Sequence, residues 1–256
     1  MMKPSRDFDE LVKLVTILRK ECPWDREQTH ESIKDNLIEE AYEAVEAIDK
    51  KNDEELKQEL GDLLLHVIFH SRMARERGAF SIEDVIETLM EKLIRRHPHV
   101  FGEREVNDAG QVAENWETIK REEGKKSLLD NLPESLPALI RARRMQEKAG
   151  NVGFDWDDWK LAWEKFEEEL NEWRAVAENG GRQEKLDEFG DLLFSLVNVG
   201  RLLDIQAEDA LRQVNRKFES RFRYIEESLK KENRTPEEST LEEMDKLWDE
   251  AKSKGL

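Results

Sequence analysis

"LIEEAYEAVEAIDKKNDEELKQELGDLLLHVIF", residues 37–69, sets Glu39, Glu40, Glu43, Glu59 and Asp62 against one of the most apolar runs of the chain. Side chains three or four positions apart share a helix face, so Glu40 aligns with Glu43 and Glu59 with Asp62. The polar break around Lys51 predicts a turn. Glu40 and Asp62 are equidistant from Lys51, as are Glu43 and Glu59. Folding the stretch into two antiparallel helices therefore places Glu40 beside Asp62 and Glu43 beside Glu59. Four converging carboxylates flanked by Leu60, Leu63, Leu64, Val67 and Ile68 repel one another, and they either raise their pKa values or bind a hard cation. Mg2+ suits that donor set, because it takes carboxylate and water oxygens together with substrate phosphates.

The pattern occurs twice. Glu168, Glu169 and Glu172 repeat the spacing of Glu39, Glu40 and Glu43, and "EFGDLLF" (188–194) repeats "ELGDLLL" (59–65), each 129 residues on. Glu169 and Asp191, and likewise Glu172 and Glu188, are equidistant from Gly180, which sits in an evident turn, "ENGGR". Lys92 and Arg96 have counterparts in Lys217 and Arg221, Trp116 and Lys120 in Trp248 and Lys252, and "PWD" (23–25) in "DWD" (155–157). Five features in one order predict an internal duplication. The join falls in the charged, Pro-containing stretch 121–137, giving a first copy over 1–126 and a linker plus second copy over 127–256.

Both copies read as all-α. Apolar positions recur with helical period, as in Leu11, Val12, Val15 and Leu18, and no run alternates long enough to require a strand. Asn52 or Asp53 is expected to cap the helix carrying Glu59, Thr240 with Glu243 to form a capping box, and Pro98 to stop the helix of Lys92 and Arg96. Gly61 and Gly190, inside their helices, are expected to permit close approach of a helix or a ligand, since glycine there costs about 1 kcal/mol against alanine.

A charge of -18 over 256 residues argues against nucleic acid, which needs a basic stripe. Magnesium-bridged small phosphates remain compatible with it. Cys22 is the sole cysteine, so neither an internal disulfide nor a cysteine zinc cage is possible. No signal peptide or membrane span is legible, and a cytoplasmic location is expected. All five histidines lie in the first copy, so no mechanism shared by the copies needs one. Lys92 with Arg96, and Lys217 with Arg221, can hold phosphate oxygens or pair with surface glutamates, and Arg95 adds a candidate to the first copy. Trp116 and Trp248 suit either the core or a stacked base.

"CPWDREQTHESI", "EEAYE", "ELGDLLLHVIF", "KLIRRHPHVFGE" and "NWETIK" together resemble the MazG family of nucleoside triphosphate pyrophosphohydrolases, over nearly the whole chain. The resemblance implies an all-α, helical-bundle fold in tandem and a homodimer. It implies hydrolysis of an NTP or dNTP to monophosphate and pyrophosphate with Mg2+, or Mn2+ in its place. Glu40, Glu43, Glu59 and Asp62, and Glu169, Glu172, Glu188 and Asp191, match the family's metal-binding acids. Glu39 and Glu168 are outer members, as supports or further ligands. Glu43 and Glu172 are the expected proton acceptors. Lys217, Arg221, Trp248 and Lys252 fall where the family contacts nucleotide, as do Lys92, Arg95, Arg96, Trp116 and Lys120 by the repeat. A nucleotide- or metal-binding regulator without turnover is the alternative.

Overall fold

The lysine at the centre of the quoted stretch takes a left-handed backbone, Lys51 φ 55°, which turns one helix back on the next. The computed structural model describes residues 3–102, 127–130 and 132–256. Among these every regular element is helical, and the chain divides into two compact units, Met1–Ala109 and Gly110–Leu256.

The first unit contains α1 (Phe8–Glu21), α2 (Pro23–Glu27), α3 (Lys34–Lys50), α4 (Asp53–Glu76), α5 (Ile82–Arg96) and α6 (Pro98–Phe101). Asn52 Oδ1 accepts from the Glu55 amide and starts α4, while Ser81 and Asp84 form a reciprocal capping box on α5. Buried Ala44 and Ala47 bring α3 close along α4. The core of Val15, Ile33, Ile68, Phe69, Met73 and Ile82 lies against the later half of α4. The earlier half of α4 is thereby left to carry Glu59 and Asp62.

The second unit contains α7 (Ala138–Gly150), α8 (Trp159–Ala177), α9 (Arg182–Leu202), α10 (Ala207–Lys231), a 3-10 turn (Pro236–Glu238) and α11 (Leu241–Ser253). Helices α8 and α9 form the second hairpin, with α7 against α9 and α10, and α11 against α10. The hairpin turns differently here. The Gly180 amide donates to Val176 O at 2.8 Å, and a Cβ at 180 would lie 2.7 Å from both that oxygen and Val176 Cβ, so the turn requires glycine.

Two local expectations are corrected. An added Cβ at Gly61 or Gly190 meets nothing within 4 Å, so neither glycine admits a neighbouring helix, and the space before each is open. Thr240 Oγ1 does accept from the Glu243 amide, but the Glu243 carboxylate turns to Arg234 at 2.7 and 2.8 Å instead of closing a box. Arg234 pulls the Glu243 pKa down to about 2. A two-pronged bond to a guanidinium is stronger than one to a backbone N–H, which decides between them. Leu60, Leu64, Val67, Leu186, Phe189, Leu193 and Leu196, flanking the acids, are exposed.

The first unit packs three half-buried imidazoles together. His30 Nδ1 and His70 Nδ1 are 2.7 Å apart, and the His66 ring lies 6.0 Å from that of His70. Burial lowers the pKa of His66 and His70 below 6.5, with the neighbouring imidazoles adding to the effect at His70 and the Asp62 charge opposing it at His66. A depressed folded-state pKa gives stability that is full above 6.5 and lost as the pH falls through the folded values. Acidification from about pH 7.5 to about pH 5 is therefore expected to lower the melting temperature of the first unit by about 2–4 °C or more, and His70→Leu to flatten that dependence. Equal pH profiles for the two proteins would contradict this.

Candidate active site

Helices α3 and α4 bring one carboxylate oxygen each of Glu40, Glu43 and Glu59 within 4.8 Å of one another, and α8 and α9 do the same for Glu169, Glu172 and Glu188. The register follows from the turns: sixteen positions separate Glu43 from Glu59 and Glu172 from Glu188. In each triplet the second glutamate is exposed and the others are partly or fully buried.

The charges bearing most heavily on Glu40, Glu43 and Glu188 are other carboxylates. Desolvation raises the Glu40 pKa first, followed by Asp62, Glu43 and Glu39. Desolvation also raises Glu43, with Glu59 next, and it raises Glu188, with Glu172, Asp191 and Glu169 next. Asp62 and Asp191 act on the triplets through their charge but stand beside them, not among the closest oxygens. Three converging carboxylate oxygens with no imidazole or thiolate among them fit a hard divalent cation. Glu39 is exposed, while Glu168 bonds to Lys165 Nζ at 2.8 Å.

The triplets differ in one respect. Lys165 Nζ also meets Glu169 at 2.7 Å, and its two glutamates raise its pKa. The equivalent position in the first copy is Asn36. Sequence reasoning passed over Lys165, although a lysine four positions before Glu169 shares its helix face.

The basic and aromatic candidates form separate patches. Lys92, Arg95 and Arg96 lie on α5, the first two exposed. Trp116 and Lys120 lie outside the described residues. On α10 and α11, Trp248 packs on Phe218 with centroids 5.2 Å apart, and the Arg221 guanidinium lies over Trp248 at 5.3 Å. Arg221 Nε donates to Leu256 O at 2.7 Å, and Lys217 and Lys252 are exposed. None of Lys92, Lys217, Arg221 and Lys252 forms an ion pair with a triplet within the chain among the described residues. Nor, among these residues, is any helix long and apolar enough to cross a membrane.

A helical hairpin presenting three carboxylates is thus used twice. Residues 28–101 match the MazG nucleotide pyrophosphohydrolase domain, and residues 141–218 match phosphoribosyl-ATP pyrophosphohydrolase. The chain is 52% identical over 250 residues to the nucleoside triphosphate pyrophosphohydrolase/pyrophosphatase MazG of Thermotoga maritima, covering 96% of this chain and 95% of that one. It is 40% identical over 257 residues to the nucleoside triphosphate pyrophosphohydrolase of Escherichia coli K12, covering 96% and 98%. An uncharacterized protein of Bacillus subtilis, YabN, is 48% identical over 235 residues, which are 90% of this chain and 48% of YabN. The chain belongs to the MazG family of pyrophosphohydrolases.

Proposed function

We propose that the chain hydrolyses nucleoside and deoxynucleoside triphosphates to the monophosphate and pyrophosphate, with Mg2+, in the cytoplasm. The observation that carries this is the recurrence of one carboxylate triplet at the same register in two hairpins built on different turns. Each copy, 1–126 and 127–256, is taken as one catalytic domain, and a second chain as covering the exposed apolar faces around Leu60, Leu64, Leu186 and Leu193.

Glu40, Glu43 and Glu59, with Asp62 beside them, would hold the metal in the first copy, and Glu169, Glu172 and Glu188, with Asp191, in the second. Mn2+ offers the same coordination chemistry. The bound metal supplies charge neutralisation between acids and triphosphate and lowers the pKa of a nearby water. Glu43 and Glu172, the exposed members of their triplets, take the proton from the attacking water on a carboxylate oxygen. A water oxygen bonds to the α-phosphorus, the bond from that phosphorus to the bridging oxygen breaks, and pyrophosphate leaves with the electron pair. Glu39 and Glu168 support the triplets. Lys92, Arg95, Arg96 and Lys120 in the first copy, and Lys217, Arg221 and Lys252 in the second, hold phosphate oxygens, with Trp248 orienting Arg221 and Trp116 its equivalent.

Hydrolysis in 18O-water tests the reading. Attack at the α-phosphorus puts the label in the monophosphate. Label in pyrophosphate, or release of diphosphate and phosphate, would refute it.

A further inference from the structure

Four of the five polar side chains buried among the described residues, Gln146, Glu169, Ser195 and Asn198, line one cavity of about 300 Å³ in the second unit. Each of the four has a partner within the protein, but Gln146 Oε1 has none, and a buried acceptor that faces a void unpaired calls for a partner from outside. The remaining walls include Phe154, Trp156 and Phe194, and the cavity shares Glu169 with the acid triplet and is also lined by Asp191.

Two carboxamides face the void with fixed orientation. Gln146 is 7% exposed, and its Nε2 donates to Phe194 O at 2.8 Å, so the carbonyl fixes which way the amide points. Its Oε1 is buried without a hydrogen-bond partner. Asn198 Oδ1 accepts from Arg201 Nε at 2.8 Å, which leaves the Asn198 amino group to donate. Arg201 is itself anchored, Nη1 to Asp155 Oδ2 at 2.9 Å. A slot with aromatic walls, one acceptor and one donor suits a planar heterocycle that carries an N–H beside a ring nitrogen or carbonyl.

The hairpin alone does not demand this void. At the same offset, Ser195 and Asn198 correspond to His66 and Phe69 of the first copy, which lie in its imidazole cluster and core.

We propose that this cavity is the base subsite of the second unit. The nucleobase enters among Phe154, Trp156 and Phe194, Gln146 Oε1 accepts from the base N–H, and the Asn198 amino group donates to the adjoining acceptor. Glu169, common to cavity and triplet, sets the triphosphate where the acids can reach it. The inference rests on the hydrolase reading of this unit, and it adds that Gln146 determines base specificity.

The test uses the full chain with Glu40→Gln, Glu43→Gln and Glu59→Gln, which leaves the second triplet as the acting one. Calorimetry with Mg2+ and the four α,β-methylene ribonucleoside triphosphates measures binding, and inorganic tripolyphosphate serves as the ligand without a base. Gln146→Met, removing the acceptor at similar volume, is expected to weaken the tightest of the four about tenfold and to narrow the spread among them. Ser195→Leu, filling the cavity, is expected to do likewise, and both variants should bind tripolyphosphate as the parent does. Unchanged nucleotide affinity in both variants, or a parallel loss of tripolyphosphate, overturns the proposal. Binding by the parent without turnover of the natural nucleotides would defeat the hydrolase reading and leave the subsite standing. Binding of none of the five ligands defeats both.

Discussion

Glu43→Gln combined with Glu172→Gln is expected to reduce pyrophosphate release by about a thousandfold, within the range that loss of a general base produces. Each substitution replaces the exposed carboxylate of its triplet with a neutral group of the same shape. The isolated singles apportion the activity: a copy that turns over slowly contributes little, so its substitution changes the total little. Melting curves should show both proteins folded, because neither residue is buried. A double variant that still hydrolyses triphosphates at the parent rate would remove Glu43 and Glu172 from the chemistry.

The second large effect lies in stability. In metal-free protein the triplets oppose folding, since Glu40, Glu43 and Glu188 carry raised pKa values from desolvation and from one another. A carboxylate with a raised folded-state pKa favours the fold below 4.5, and that contribution is lost as the pH rises through the folded value. At neutral pH, Glu40→Gln with Glu188→Gln should therefore raise the melting temperature of the metal-free chain. Magnesium should reverse the order. At about a hundred times its Kd, a ligand specific to the folded state multiplies the folded-to-unfolded ratio about a hundredfold per site. The parent should gain that stabilisation and the double variant should lose most of it. A double variant that gains as much from Mg2+ as the parent would show that the acids do not hold the ion.

How far the fold could be read from the residues depended on range in sequence. The hairpins were legible because Glu40, Glu43, Glu59 and Asp62 sit at helical spacing about a polar break, and both turns form there. The triplets were legible to within one residue: symmetry about the turn paired Glu40 with Asp62, but Asp62 stands aside. Mirror arithmetic fixes position along the helices and not the rotation of each about its axis. The apolar stripe of Leu60, Leu64, Leu186 and Leu193 carries a core-like pattern yet is exposed in the chain, because hydropathy alone does not say whether the covering surface is in the same molecule. The cavity was invisible for another reason. Gln146 on α7 meets Phe194 on α9 across 48 positions, and no local pattern encodes such a contact.

The two turns, one closed by left-handed Lys51 and the other by Gly180, have a further consequence. They serve as calipers. Adding or deleting one residue within a helical arm swings its acids about 100° around the axis, enough to point a carboxylate away from its two neighbours. The two turns therefore differ in residue type and in length, residues 51–52 against 178–181, while the sixteen positions from Glu43 to Glu59 and from Glu172 to Glu188 are the same. What the two copies share is the distance along the chain between acids, and each turn meets it in its own way.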